Sequence, residues 1–418
     1  MVLQSSSAWL PLSEAVNRIL QAAPAVSSAE SIALEDALGR VVANDITAPV
    51  NVPPWDNSAM DGYAVKSGNA VAEGKLTITG TLTAGMDPAP FTVADGEAIR
   101  IMTGAPIPAG ADAVVIQEDT HRAGDCLTVL QSASVGDNIR RCGSDIVKGE
   151  TVIERGTRIE ASHIMLLASL GLAHLHVTPK VKVGVVATGD ELVAPGGSLS
   201  NGQIFESNRA GICSLLAPFQ VLITDYGIVK DDPAALKSIF TRAAEKEDIL
   251  ISSGGVSVGD ADFVKAIVGE LGSIDFWKIA IKPGKPFAFG TLGRCLFCGV
   301  PGNPVSAFVT TQKLVMPLIR KLQGEQLPNT SSQLTLHAIL QKEVVRRPGR
   351  EDFQRATMFT DNNNQLCVKP LPKQSSGVMT SMTQANCFLV IPAQQGNLAV
   401  GDTVIIQPFS VTGNWTPP

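Results

Sequence analysis

No stretch of this sequence holds the roughly 18 consecutive apolar residues that a membrane-spanning helix needs, which argues against a membrane protein. Nor is there a basic excess. Lys and Arg total 33 against 39 Asp and Glu, a net charge of −6, whereas nucleic-acid surfaces normally carry the opposite balance. The opening Met1-Val-Leu-Gln-Ser-Ser-Ser7 has neither the basic region nor the apolar core of a signal peptide. Seven cysteines, an odd number scattered through a long chain, point to reduced thiols and the cytoplasm. Cys295-Leu-Phe-Cys298 is formally a C-x-x-C, but no second pair completes a zinc site. It lies in an apolar run that reads as a buried strand, where positions three apart face opposite sides. His174-Leu-His176 would share one strand face without an evident third ligand, and reads as a structural pair. Internal repeats, low-complexity tracts, Walker spacing and dinucleotide spacing are all missing.

What is present is an ordered change of texture along 418 residues, 44% hydrophobic and 17% charged, enough for two to four domains with real cores. Residues 10–24 have helical spacing, with Ser13 as the expected N-cap. Ile32 to Ile46 suggests strand, tight Leu38-Gly39-Arg40 turn, strand. From Pro53 to Arg140 short β-like runs, such as 75–81, 97–102 and 113–117, alternate with Gly, Pro and Asp, giving an all-β module. Residues 161–171 read as a helix with a Gly stop. Beyond Pro179, strand candidates 181–187, 221–229, 248–252 and 274–281 alternate with helical stretches 207–217, 233–246, 260–270 and 303–323. That alternation means a mainly parallel sheet with helices on both faces, binding ligands beyond the carboxyl ends of its strands. After Gln323-Gly-Glu the pattern turns β-like again.

The chemistry-bearing turns gather in the α/β region. Thr188-Gly-Asp-Glu191 follows its first strand, and Asp190 and Glu191 serve equally well as cation or proton-handling groups and as solvated turn acids. Ser253-Gly-Gly-Val-Ser-Val-Gly-Asp260 ends a strand and opens a helix, as a phosphate cradle would, with Asp260 and Asp262 as Mg²⁺ candidates. The alternative makes Asp260 an N-cap and Gly254 and Gly255 mere turn formers. Lys278, Lys282 and Lys285 share a strand and the loop after it, with Lys278 and Lys282 on one face. Pro283 and Pro286 fix that loop, which favours lysines holding phosphate or a tetrahedral oxyanion over a solvated edge. In the β module, Asp61-Gly62 and Thr103-Gly104 read in isolation as hairpin chemistry.

Taken together, the motifs closely resemble the molybdopterin molybdenumtransferase family, the MoeA type that also forms the E domain of gephyrin. The resemblance runs through Pro53-Pro-Trp-Asp-Asn-Ser-Ala-Met-Asp-Gly-Tyr-Ala64, Gly96-Glu-Ala-Ile-Arg-Ile-Met-Thr-Gly-Ala-Pro106 and Arg141-Cys-Gly-Ser-Asp145. It continues in Ala187-Thr-Gly-Asp-Glu-Leu192, Gly202-Gln-Ile-Phe-Glu-Ser-Asn208, the 253–263 loop, Lys282-Pro-Gly-Lys-Pro286, Gly299–Pro304 and Gly349-Arg-Glu-Asp-Phe-Gln-Arg-Ala356. Two departures stand out: Glu206 where the family often has Asp, and Ser375-Ser-Gly377 where it has Gly-Ser-Gly, with an altered Gln384-Ala-Asn-Cys387 after it.

The resemblance implies an α/β and β multidomain fold. A linking and dimerisation domain of residues 1–47 and 141–178, extended and helical, carries a β-rich inserted domain of 48–140. A central three-layer α/β/α adenylyltransferase-like domain spans 179–327, and a C-terminal β-barrel-like domain 328–418. The implied activity is the last step of molybdenum cofactor synthesis: molybdate enters adenylylated molybdopterin and AMP is released. The implied assembly is a homodimer, and the implied cofactor Mg²⁺ or another divalent cation such as Zn²⁺. A molybdopterin adenylyltransferase is the implied partner, supplying substrate. Carried over motif by motif, Asp61, Thr103 and Asp145 would act from the partner side, and Glu191 and Asp262 from the α/β side. Glu191, Asp260 and Asp262 would hold the metal. Ser253, Gly254, Gly255, Ser257, Lys278, Lys282 and Lys285 would bind substrate, Pro301 and Pro304 would shape the adjoining turn, and Arg355 and Ser376 would belong to the pterin or molybdate pocket. The same fold could instead serve a gephyrin-like scaffold, or a hydrolase of another nucleotide-linked substrate. The lack of a fused adenylyltransferase domain and long linker favours the stand-alone enzyme.

Overall fold

The computed structural model describes residues 9–26, 28–255, 263–276, 278–327 and 335–409. They form two compact units, one drawn from Met1–Ala43, Gly156–Glu160 and Leu175–Pro418, the other from Asn44–Arg155 and Ala161–His174. Among the described residues no helix is long and apolar enough to cross a membrane.

The first unit is organised by a six-stranded sheet in the order Leu222–Val229, Lys182–Thr188, Ile249–Ser253, Cys295–Val300, Ala288–Leu292, Gly272–Phe276. The first four strands run parallel, and only Ala288–Leu292 runs against them, pairing antiparallel with Cys295–Val300 on one side and Gly272–Phe276 on the other. Nearly unbroken apolar sequence suits strands covered on both faces, and successive side chains divide accordingly. Val183, Val185, Ile249 and Ile251 join one core with Ile212 and Leu216 of helix Asn208–Leu216. Val186 and Leu250 join a second with Leu236 and Phe240 of helix Pro233–Lys246 and Val264 of helix Phe263–Leu271. Cys298 belongs to the first core and Cys295 to the second, so the C-x-x-C thiols lie on opposite faces and serve packing. His174 and His176 are both exposed on strand His174–Val177, while Leu175 and Val177 between and after them are buried.

Three expectations are corrected. The N-terminal helix begins at Leu12 with Pro11 as its cap residue, so Ser13 lies inside the first turn and caps nothing; proline's fixed φ suits a helix start. The 303–323 stretch is helical throughout, but Thr311–Val315 is a π turn between Pro304–Thr310 and Met316–Leu322. Pro317 has no N–H to return to Lys313, and the Met316 amide donates instead to Thr311, five residues back. The apolar run 274–281 is two elements. Gly272–Phe276 is the antiparallel sheet edge, whereas Ile281–Lys282 pairs in parallel with Glu351–Asp352. Ile279 and Ile281 bury themselves against the N-terminal helix and its neighbours, which draws the chain off the sheet. Lys278 and Lys282 therefore do not share a strand face.

Five strands close a small barrel near the C-terminus: Leu336–Leu340, Glu351–Thr360, Leu366–Pro370, Cys387–Ile391 and Thr403–Pro408. Glu351–Thr360 pairs with both Leu366–Pro370 and Cys387–Ile391, which leaves no open edge in the ring. In the second unit a six-stranded sheet runs Ala113–Ile116, Gly62–Val65, Glu97–Ile101, Lys75–Leu82, Cys126–Val129, Thr120–Ala123. It too is covered on both faces, with Tyr63 and Val65 in one core and Ala64 in the other.

An ion-pair network ties down the chain just past the end of helix Met316–Leu322. Glu325 accepts from Arg158 at 2.6 Å and from Arg320 at 2.5 Å, and Arg158 also reaches Gln323 and the Gly39 carbonyl. Burial pushes the Glu325 carboxyl upward, but the two guanidiniums outweigh it and hold it below the ordinary 4.5. A depressed carboxylate stabilises the fold above its unfolded-state value and loses that contribution as pH falls through the folded one. Glu325→Gln is therefore expected to lower unfolding free energy at pH 7 by about 2 kcal/mol, the buried-pair figure discounted because Arg320 is partly exposed. The deficit should begin to shrink as pH falls below the unfolded-state value of about 4.3 and vanish only below the lowered folded one, where wild-type Glu325 is also neutral. Urea titrations at pH 7 and below the folded value check this, and an equal deficit at both would refute it.

Candidate active site

The parallel strands end in register. Ala187 pairs with Ser253 and Ser253 with Val300, so the loops after Thr188, Ser253 and Val300 open on one edge of the sheet. There they line a cleft of about 620 Å³, with Glu191, Gly254, Gly255, Pro301 and Pro304 on the strand-end loops. Ile204 to Asn208 form another wall, and Gly377 of the barrel reaches the rim.

The two turn glycines are there for steric reasons. Gly254 has φ +90° and a Cβ on it would stand 2.3 Å from the Thr188 carbonyl oxygen; Gly255 has φ +65° and its Cβ would stand 2.4 Å from Val264 Cγ2. Only glycine combines that left-handed backbone with so close an approach of two loops. Glu191 is exposed in the cleft and its carboxylate folds back over Gly189, where a Cβ would lie 2.5 Å from Oε2. Thr188 Oγ1 donates to Asp231 Oδ1 at 2.6 Å, and the Asp231 amide reaches Asp190 Oδ1 at 3.3 Å.

Asp231 was not legible as a site residue, although only Lys230 separates it from the 221–229 strand candidate. The signal lay in the Asp231-Asp232 pair. Asp232 caps helix Pro233–Lys246 by accepting from the Ala235 amide at 2.7 Å, which leaves Asp231 free to face the cleft. Asn208 and Glu206 are further lining residues that the motif reading did not single out for a role.

Of the expected ligands, Glu191, Ser253, Gly254, Gly255, Pro301 and Pro304 meet in this cleft. Ser257, Asp260 and Asp262 lie outside the described residues. The three lysines are not among the described residues that line the cleft. Lys278 is exposed, Lys282 Nζ lies 3.5 Å from the buried Asp352, and Lys285 Nζ sits 4.4 Å above the Trp9 ring. Arg355, 1% exposed, donates to Ser381 Oγ at 3.0 Å and to the Ser375 carbonyl at 3.1 Å. Its loop is in turn tied to the cleft: the Val305 amide donates to the Ser376 carbonyl at 3.1 Å, at the start of helix Pro304–Thr310. In the second unit Asp61 Oδ1 accepts from both the amide and the hydroxyl of Thr103, at 2.7 and 2.8 Å. The Thr103 amide foremost, then its hydroxyl, holds the Asp61 carboxyl below its usual range. The Asp61 and Thr103 turns are thus docked on each other and are more than hairpin ends. Asp145 is exposed, with its amide on the Val52 carbonyl at 3.0 Å.

A glycine-turn cleft at the carboxyl edge of a parallel sheet, bearing carboxylates and hydroxyls, defines a ligand-binding α/β protein with accessory β domains. Three family profiles match in sequence: MoeA N-terminal region (domain I and II) over residues 10–171, probable molybdopterin binding domain over 184–321, and MoeA C-terminal region (domain IV) over 337–409. A molybdopterin molybdenumtransferase of Haemophilus influenzae is 42% identical across 96% of this chain and 99% of its own. Gephyrin of Dictyostelium discoideum is 32% identical over 96% of this chain, which spans 62% of that longer protein. The crystal structure of a molybdopterin biosynthesis MoeA protein from Pyrococcus horikoshii superposes with a TM-score of 0.82 at 30% identity, covering 96% of this chain and all of that one. The chain belongs to the MoeA family of molybdopterin molybdenumtransferases, enzymes of molybdenum cofactor biosynthesis.

Proposed function

We propose that this protein inserts molybdate into adenylylated molybdopterin and releases AMP, with a divalent cation bound at the cleft. The observation that carries the reading is the meeting of Glu191, Asp231 and the Gly254–Gly255 turn at one sheet edge, in a chain related to molybdenumtransferases along its whole length. The donor set fits Mg²⁺, a hard cation that takes one or two carboxylates and fills its remaining positions with water and phosphate oxygens. Glu191, together with Asp260 and Asp262, would hold it, and when bound it supplies charge neutralisation at the phosphates.

The residues of the chain do the rest. The left-handed glycine turn lets the backbone approach the phosphates closely, and Ser253 offers a hydroxyl beside it. Thr188 fixes Asp231 in one orientation by its 2.6 Å hydrogen bond. Lys278, Lys282 and Lys285 supply positive charge for phosphate or molybdate as these approach. The enzyme acts in the cytoplasm as a homodimer in which Asp61, Thr103 and Asp145 of each copy serve the substrate held by the other, and it receives that substrate from a molybdopterin adenylyltransferase.

The test is direct. Purified protein given adenylylated molybdopterin, molybdate and Mg²⁺ should yield AMP and active cofactor, and chelation should stop it. Glu191→Gln and Asp262→Asn should each slow AMP release about 10- to 100-fold. Unaltered release in both variants would remove the metal assignment. Failure to restore a molybdoenzyme in a cofactor-deficient host would favour the scaffold or the other-hydrolase reading.

A further inference from the structure

Among the described residues lining the cleft, Asn208 ties two other segments together through its side chain. It occupies the first position of helix Asn208–Leu216, and its Nδ2 donates to Ser253 Oγ and to the Gly302 carbonyl, both at 2.8 Å. One amide group thus spans the loops that follow two neighbouring parallel strands. The two acceptors also determine which end of the amide is the nitrogen, since an oxygen there would meet a carbonyl at hydrogen-bond distance. The backbone beneath is anchored separately: Glu206, 4% exposed, accepts from the Arg209 amide at 2.8 Å.

The effect on Ser253 is chemical. A serine hydroxyl has one proton to give and lone pairs to receive. With Asn208 donating to its oxygen, the Ser253 proton remains available to another acceptor. Ser253 itself is 2% exposed and lines the cleft next to the Gly254–Gly255 turn, so an anionic oxygen in the cleft is well placed to take that proton as a hydrogen bond. On the opposite side, Gly302 comes within 3.9 Å of Gly254 Cα from where its own Cβ would be. The two loops therefore depend on each other's position.

We infer that Asn208 is a positioning residue of this site: it locks the 254–255 and 301–303 loops together and commits the Ser253 hydroxyl to donate to an anionic oxygen of the ligand. The inference rests on the proposed reaction only for the identity of that ligand, a nucleotide phosphate. Three variants test it, Asn208→Ala, the isosteric Asn208→Asp and Ser253→Ala, read by amide hydrogen exchange and by AMP binding. Both Asn208 variants should speed exchange in peptides covering 254–255 and 301–303 while leaving barrel peptides unchanged. Both should weaken AMP about tenfold, the loss of one charge-assisted hydrogen bond. Because Asn208 acts through Ser253, the Asn208→Ala/Ser253→Ala double variant should bind no more weakly than the worse single one. Unchanged exchange in either loop, or fully additive losses, would overturn the inference. Faster exchange in both loops with no AMP binding by the wild-type protein would leave the positioning role standing and refute the proposed reaction instead.

Discussion

Gly254→Ala is expected to reduce AMP release and molybdoenzyme restoration about 100-fold or more, because it moves the floor of the cleft. The added Cβ would stand 2.3 Å from the Thr188 carbonyl oxygen, a backbone atom at the end of a buried strand. That atom cannot swing away as a side chain would. The turn has to shift by about 1 Å, a misplacement that alone costs on the order of 100-fold in rate. A second contribution, the φ of +90°, would strain any L residue. Gly196→Ala separates the two effects. Gly196 has the same φ of +90°, but nothing lies within 4 Å of its Cβ position. It should lose about 1 kcal/mol of stability and keep its activity. If Gly254→Ala were as active as Gly196→Ala, the Gly254 turn would not belong to the reacting site.

The contrast between those glycines also shows what could be read before the fold was known. Val183 to Ala187, Leu250 and Ile251 announce doubly covered strands by composition alone, and the sheet obeys them because local apolar content and burial agree. The clustering of Glu191, Ser253 and Gly254 followed from topology, since loops after parallel strands must share an edge, whereas Pro301 was legible only through the family resemblance. The departures arise where a tertiary partner decides. Ile279 and Ile281 look like a continuation of strand Gly272–Phe276, yet they leave the sheet because the N-terminal helix offers them burial. The π turn at Thr311–Val315 depends on Pro317 sitting inside a helix that packing keeps continuous. Asn208 and Asp231 bond across 45 and 43 positions, to Ser253 and Thr188, distances over which periodicity carries no information.

Arg355→Met should destabilise the barrel by about 1–3 kcal/mol, the cost of leaving hydrogen-bond acceptors without their donor. Arg355 has the bulkiest side chain among the fully buried residues, at 1% exposure. Burial lowers its pKa, with Asp352 opposing that effect, and a guanidinium still stays charged. Its hydrogen bonds go to Ser381 Oγ and to the carbonyls of Ser375 and Lys373, the last at 3.4 Å. Methionine fills much of the volume but leaves the buried Ser381 hydroxyl without this donor and the partly buried carbonyls of Lys373 and Ser375 without theirs. The damage should spread along one route. The 373–376 loop loses its anchor, the Ser376 carbonyl loosens from Val305, and the wall of the cleft at Pro304 and Gly377 follows. Hydrogen exchange in denaturant should therefore show lower protection in the barrel strands, while strand Lys182–Thr188 keeps its own. Arg355→Lys, which keeps the charge without the planar fork, should fall between the two. The resemblance assigns this side chain to the pterin or molybdate pocket, and the same variants decide between the roles. Full barrel protection in Arg355→Met together with lost molybdate binding would make the guanidinium a ligand contact. Lost protection, with molybdate binding that recovers at low temperature, would make it the support on which the Ser375–Gly377 loop stands.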